Sequence, residues 1–125
     1  MDPRHLQRIK TIQNLFAESY TDLKNNLPHP NDEKTKEIVK HLSKIDQFIK
    51  KFAPRYPLHN IAKTDLSILR LSIYELMFEK KVPKKVIIDE AIELAKELSG
   101  EKSYAFVNAV LGNILKTQSN EEKIL

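Results

Sequence analysis

The side chains in this chain that could do chemistry are cations and aromatic rings rather than nucleophiles. The four histidines, at positions 5, 29, 41 and 59, never fall at the i, i+4 spacing that lets a helix hold a metal. There are no cysteines, so thiolate ligands and disulfides are excluded. With two glycines in 125 residues there is no phosphate-cradling loop, and no serine sits in a nucleophile elbow. Asp89, Glu90 and Glu93 suggest acid-base work, but carboxylates near the start of a helix are favoured by its dipole, which is the stronger reading. No catalytic residue, metal or cofactor is expected, and the chain is read as a binding protein rather than an enzyme.

The cations fall into groups. Arg4, His5 and Arg8, with Lys10 beside them, lie on the first turns of the first helix, where positive charge opposes the dipole. Placement against that cost suggests phosphate contact. Lys80, Lys81, Lys84 and Lys85 surround Pro83 in the densest basic run, which reads equally well as a solvated turn. Lys102, Tyr104 and Phe106 put a cation and two rings at the start of the last helix. Rings for stacking and cations for phosphates are the usual equipment for single-stranded RNA. By periodicity alone Phe106 reads as core. Arg70 stands in an apolar run, where an unpaired guanidinium would be costly, so it needs a partner, with Glu75, Asp89 and Glu90 as candidates. Asp65 lies at the other end of the same helix and is expected to be exposed, as a solvated first-turn acid or a contact for a protein partner.

These residues are carried by helices throughout. Asp2-Pro3 is an N-cap followed by proline at the first helical position. Leu6, Ile9, Gln13, Phe16 and Tyr20 then share one face, with Ile12 beside them. Asn31 or Asp32 opens a second helix whose stripe, Ile38, Leu42, Ile45, Ile49 and Phe52, runs unbroken to Pro54 and Pro57. Leu58 to Ile61 reads as one turn. The helix from about Thr64 to Glu79 is apolar on most sides and is expected to be the buried central one. Val86 to Leu98 follows, closed by Gly100, and Ser103 caps the last helix. The architecture expected is all-α, a compact bundle of about six to seven helices. Residues 1–117 read as a single domain and 118–125 as a polar, flexible tail.

A charge of +4 and a pI near 9.2 lean toward polyanions, although 17 acids are mixed among 21 bases. The opening MDPRHLQRIK lacks a signal peptide's apolar core and no run is long enough to span a bilayer, so a cytoplasmic location without membrane contact is expected.

Three blocks carry a family resemblance. ILRLSIYEL from Ile68, VPKKVIIDEAIELAK from Val82 and SYAFVNAVL from Ser103 closely resemble the C-terminal half of the NusB transcription antitermination family, in order and spacing. The first helix, with Arg4, Arg8, Gln13, Leu15 and Phe16, resembles the family's arginine-rich opening more loosely. The resemblance implies two packed helical sub-bundles and no enzymatic activity. It implies binding of boxA-type RNA in nascent ribosomal transcripts, together with the small-subunit ribosomal protein NusE, to assemble an antitermination complex on RNA polymerase. It implies an RNA side at Arg4, His5, Arg8, Lys102, Tyr104 and Phe106, and a partner contact at Asp65. The free protein could be monomer or homodimer. A protein-interaction module without specific RNA binding is the alternative.

Overall fold

The computed structural model describes residues 2–20 and 25–124, with side chains described as far as Gln118. Six α-helices occur among them: α1 (Pro3–Glu18), α2 (Glu33–Lys40), α3 (Leu42–Phe52), α4 (Lys63–Tyr74), α5 (Lys84–Leu98) and α6 (Glu101–Ile124). A 3₁₀ turn, Leu58–Asn60, links α3 to α4, and a π turn, Glu75–Glu79, extends α4. This is the expected all-α bundle. None of the described helices is long and apolar enough to cross a membrane. The expected flexible tail falls largely on side chains outside the described residues, along backbone that continues α6.

Helix α4 is the axis. Every residue from Asp65 to Leu76 is buried, and α1, α2, α3, α5 and α6 all pack against the helix. The helices surround α4 and also meet one another, α3 packing on α6 and α5 on α6.

Helix α1 begins as expected, with Asp2 Oδ1 accepting from the Arg4 amide at 2.8 Å and Pro3 at the first position. Its buried face is not the apolar stripe. Leu6, Phe16 and Tyr20 are exposed, while Arg8, Thr11, Ile12, Asn14, Leu15 and Ala17 are buried. The helix is turned because its polar groups find partners on that side. Thr11 and Thr35 hydroxyls each donate to Asp32 Oδ2 at 2.6 Å, and Gln7 donates to Oδ1 at 2.9 Å. Asn14 donates to the Thr35 hydroxyl and accepts from the His29 amide, both at 2.8 Å. Burial pushes the Asp32 carboxyl up, but the hydrogen bonds from Thr11, Thr35 and Gln7 more than offset it and hold it below its ordinary value.

The single second helix expected from the unbroken stripe is two helices. His41 interrupts it, with φ −103° and ψ 9°, its amide bonding back to Ile38 and its ring nitrogen 2.9 Å from the Glu37 carbonyl. The ring packs 4.6 Å from Phe78 and 5.9 Å from Tyr74. The break leaves Ile38, Ile45 and Ile49 all fully buried.

Arg70 is paired, but with none of its expected partners. Its Nε and Nη2 each donate to an Asp46 carboxylate oxygen at 3.0 Å, tying α4 to α3 in a forked pair. Glu75 is already engaged: both its oxygens lie 3.2 Å from Arg8 Nε, and Lys34 Nζ is 3.0 Å from Oε1 and 3.3 Å from Glu79. Lys80 closes the π turn at φ +56°, in the left-handed region. Gly100 at φ +105° ends α5, its amide and that of Ser99 both bonding to the Ala95 carbonyl at 2.9 Å. Only those two residues separate α5 from α6, so α6 starts at Glu101, not behind a Ser103 cap.

Candidate nucleic-acid interface

The start of α6 presents the rings that the sequence singles out. Lys102 is exposed, and one turn on Phe106 is partly buried. Tyr104 lies beneath Lys96, whose Nζ is 4.9 Å from the ring centre. Phe106 meets Tyr56 edge-on, with ring centres 5.1 Å apart at 73°. Tyr56, half exposed, stands in the proline-bounded turn after α3. It was missed in the sequence because no periodic pattern covers that turn. Its one signal is an aromatic set between Pro54 and Pro57, where no core face exists to absorb it.

Tyr56 and Phe106, with Asn60, Ile61, Ala62 and Asp65, line a cavity of about 170 Å³. Asp65 is 7% exposed, not the solvated first-turn acid expected. Asn60 and Ile61 of the adjoining 3₁₀ segment line the same cavity, Asn60 bonded back to Pro57 at 2.8 Å and Ile61 buried. Its Oδ1 is buried with no hydrogen-bond partner.

The N-terminal cations are placed differently from one another. Arg4 is exposed, with only a loose contact to Asp2 at 3.8 Å. The His5 ring sits between two α5 carboxylates, Nδ1 2.9 Å from Glu90 and Nε2 2.8 Å from Glu97. Hydrogen bonds to Glu90 and Glu97 raise its pKa above the ordinary imidazole value. Arg8 is buried on Glu75. His5 and Arg8 thus direct their charge into the fold.

The lysine turn is a separate feature. Lys80, Lys81 and Lys84 border a hollow of about 470 Å³ with Leu76, Val82, Pro83 and Gln118. Lys80 follows Asp65 by fifteen positions, roughly 20 Å along α4 and the π turn that extends it. The structure therefore groups Lys102, Phe106, Tyr56 and Asp65 near one end of α4 and the lysine turn at the other. Among the described residues no cluster of His, Asp and Glu could hold a metal ion.

Comparison with known proteins agrees with this architecture. Transcription antitermination protein NusB of Clostridium botulinum (strain Loch Maree / Type A3) is 50% identical over 80 residues, covering 64% of this chain and 57% of the relative. The chain thus spans under two thirds of that relative's length. NusB of T. maritima superposes with a TM-score of 0.78 at 32% identity, over 92% of both chains. A chain from a crystal structure of antitermination factors NusB and NusE in complex with dsRNA has the same fold, with a TM-score of 0.72 at 23% identity over 93% of this chain and 99% of the other. The NusB family model matches residues 4–116, which takes in α1 and all the packing helices down to the last core turn of α6, and the chain belongs to the NusB family.

Proposed function

We propose that this chain is a non-enzymatic, RNA-binding transcription antitermination factor. It binds boxA-type RNA of nascent ribosomal transcripts together with the ribosomal protein NusE, and the pair assembles an antitermination complex on RNA polymerase in the cytoplasm. The observation that carries the reading is the family match over residues 4–116, together with an exposed cation, Lys102, and the partly exposed rings of Tyr104 and Phe106 at the start of α6. The RNA-facing set is Lys102, Tyr104, Phe106 and Arg4, now with Tyr56. His5 and Arg8 contribute by fixing α1, so that Arg4 is held in place. Residues 1–117 act as one RNA-binding unit followed by the tail.

The chemistry supports non-covalent binding: the rings supply stacking faces, and Lys102 and Arg4 supply charge that a phosphate backbone can meet. Titration of boxA-type RNA against a scrambled strand, with and without NusE, tests the proposal. Tighter binding to boxA and a marked gain with NusE are expected. Log affinity should fall with log salt by roughly 0.7 per contacted phosphate. Equal, weak binding to both strands, unchanged by NusE, would overturn it in favour of a protein-interaction module.

A further inference from the structure

We propose that the lysine turn between α4 and α5 is a second anion subsite, which holds a backbone phosphate of the bound RNA strand at the far end of α4 from the rings. The subsite rests on the RNA-binding reading and extends it to a part of the molecule that the reading leaves idle.

A dense run of lysines also suits a solvated turn, so the backbone has to decide. Lys80 stands at φ +56°, and among the described residues it is the one non-glycine residue at positive φ. Glycine or asparagine meets that conformation at less cost. A lysine there accepts backbone strain in order to place a cation, and strain of this kind persists mainly at functional sites. The π turn fixes the position, with the Lys80 amide bonded to the Glu75 carbonyl at 3.0 Å. Lys80, Lys81 and Lys84 border the hollow of about 470 Å³. Both acids of the π turn face away from it: Glu75 holds Arg8 and Lys34, and Glu79 lies 3.3 Å from Lys34. Lys80 and Lys81 are exposed, with no acidic partner among the described residues. Helix α5 begins at Lys84, with no acid in its first turn and no side chain capping its amides, which adds to the positive potential there.

The chemistry favours phosphate over carboxylate. A planar carboxylate is matched best by the fork of an arginine, whereas lysines act as separate point charges round a centre with several acceptor oxygens. The turn holds Lys80, Lys81, Lys84 and Lys85 and no arginine. Its hollow is larger than a lone phosphate fills and admits a sugar-phosphate unit of a chain. Helix α6 joins the two ends of the molecule, running from Lys102 beside the rings to Gln118 in the wall of the hollow, with no acid between them. Ala105, Ala109, Gly112, Asn113 and Lys116 are exposed along it, so a strand laid over α6 meets no negative charge from that helix.

Strand length provides the test. A boxA-type RNA, and the same RNA lengthened by about five uridines at one end or the other, are titrated against the wild type and two double variants. The neutral one is Lys80→Asn with Lys81→Gln, chosen because asparagine tolerates the left-handed backbone; the charged one is Lys80→Arg with Lys81→Arg. Thermal unfolding checks each fold, and Lys81→Gln alone replaces the neutral pair if that pair unfolds. One lengthened strand should bind the wild type several-fold more tightly than the short strand, with a log-salt slope steeper by roughly 0.7 per added phosphate contact. The neutral variant should lose that gain yet bind the short strand as the wild type does, and the arginine variant should keep most of it. No gain from either extension, or a gain undiminished in the neutral variant, overturns the subsite and leaves the RNA reading standing. Binding of inorganic phosphate at the turn without any length effect overturns it in favour of a free-anion site. Loss of NusE affinity in the neutral variant without any length effect overturns it in favour of a protein contact. Failure of the wild type to prefer the short boxA strand over its scramble overturns the RNA reading itself.

Discussion

At the scale of single residues, the protein is organised by where its cations spend their charge. Arg70 and Arg8 are each closed onto a carboxylate from another helix, whereas Lys102 and Arg4 remain open to solvent. Truncating Arg70 strands Asp46 in a partly buried site. Arg70→Ala should therefore lower stability by about 3 kcal/mol, read from the midpoint of urea unfolding. An unchanged midpoint with altered partner binding would move Arg70 from the frame to the interface. That Arg70 needed a partner was legible from its apolar surroundings. The identity of the partner was not, because Asp46 becomes a neighbour only once α3 packs on α4. The same limit applies to Arg8 and His5, which read as phosphate contacts by their position in the first turns. Their acids, Glu75, Glu90 and Glu97, lie 67 to 92 positions away in sequence. Asp65 was legible as an acid of interest and illegible as a buried one, since the segment beside it, Leu58–Asn60, has no periodic signal.

At the scale of elements, starts and stops written in local chemistry were readable, while choices made by tertiary packing were not. Asp2-Pro3 and Gly100 mark real boundaries for a local reason: a cap, a fixed φ and a positive φ. The break at His41 left no trace in the apolar stripe, which continues through it at helical spacing. The face of α1 was misassigned because counting apolar residues gives no weight to Thr11 and Asn14, which are buried with their hydrogen bonds complete. The seam between α1 and α5 depends on His5, whose hydrogen bonds to Glu90 and Glu97 raise its pKa in the folded state. A group with a raised folded pKa stabilises fully below the unfolded value, near 6.5, and loses that contribution as pH rises through the folded one. Unfolding free energy measured across this range should therefore fall more steeply with rising pH in the wild type than in His5→Gln. Identical slopes would mean that the α1–α5 contact carries no charge.

At the scale of the whole molecule, one buried helix is packed on by all the others and separates two basic features by most of its length. The lysine turn is the densest charge in the sequence, but it lies far from the rings at the start of α6. Density of charge alone does not identify a binding face; the face proposed for RNA is the one where partly exposed rings lie beside open cations. The fold was largely legible because amphipathic spacing and family blocks cover the packing helices. The cleft was half legible: Phe106 and Asp65 stood out, while Tyr56 came into view only in three dimensions. The proposed function has Phe106 face RNA while its packing stays dispensable. The most direct measurement is the affinity of Phe106→Ala for boxA-type RNA, taken with its thermal unfolding curve. Loss of one stacked base should weaken binding about tenfold or more, with cooperative unfolding near the wild-type temperature. Unchanged affinity, or a collapsed unfolding transition, would contradict it.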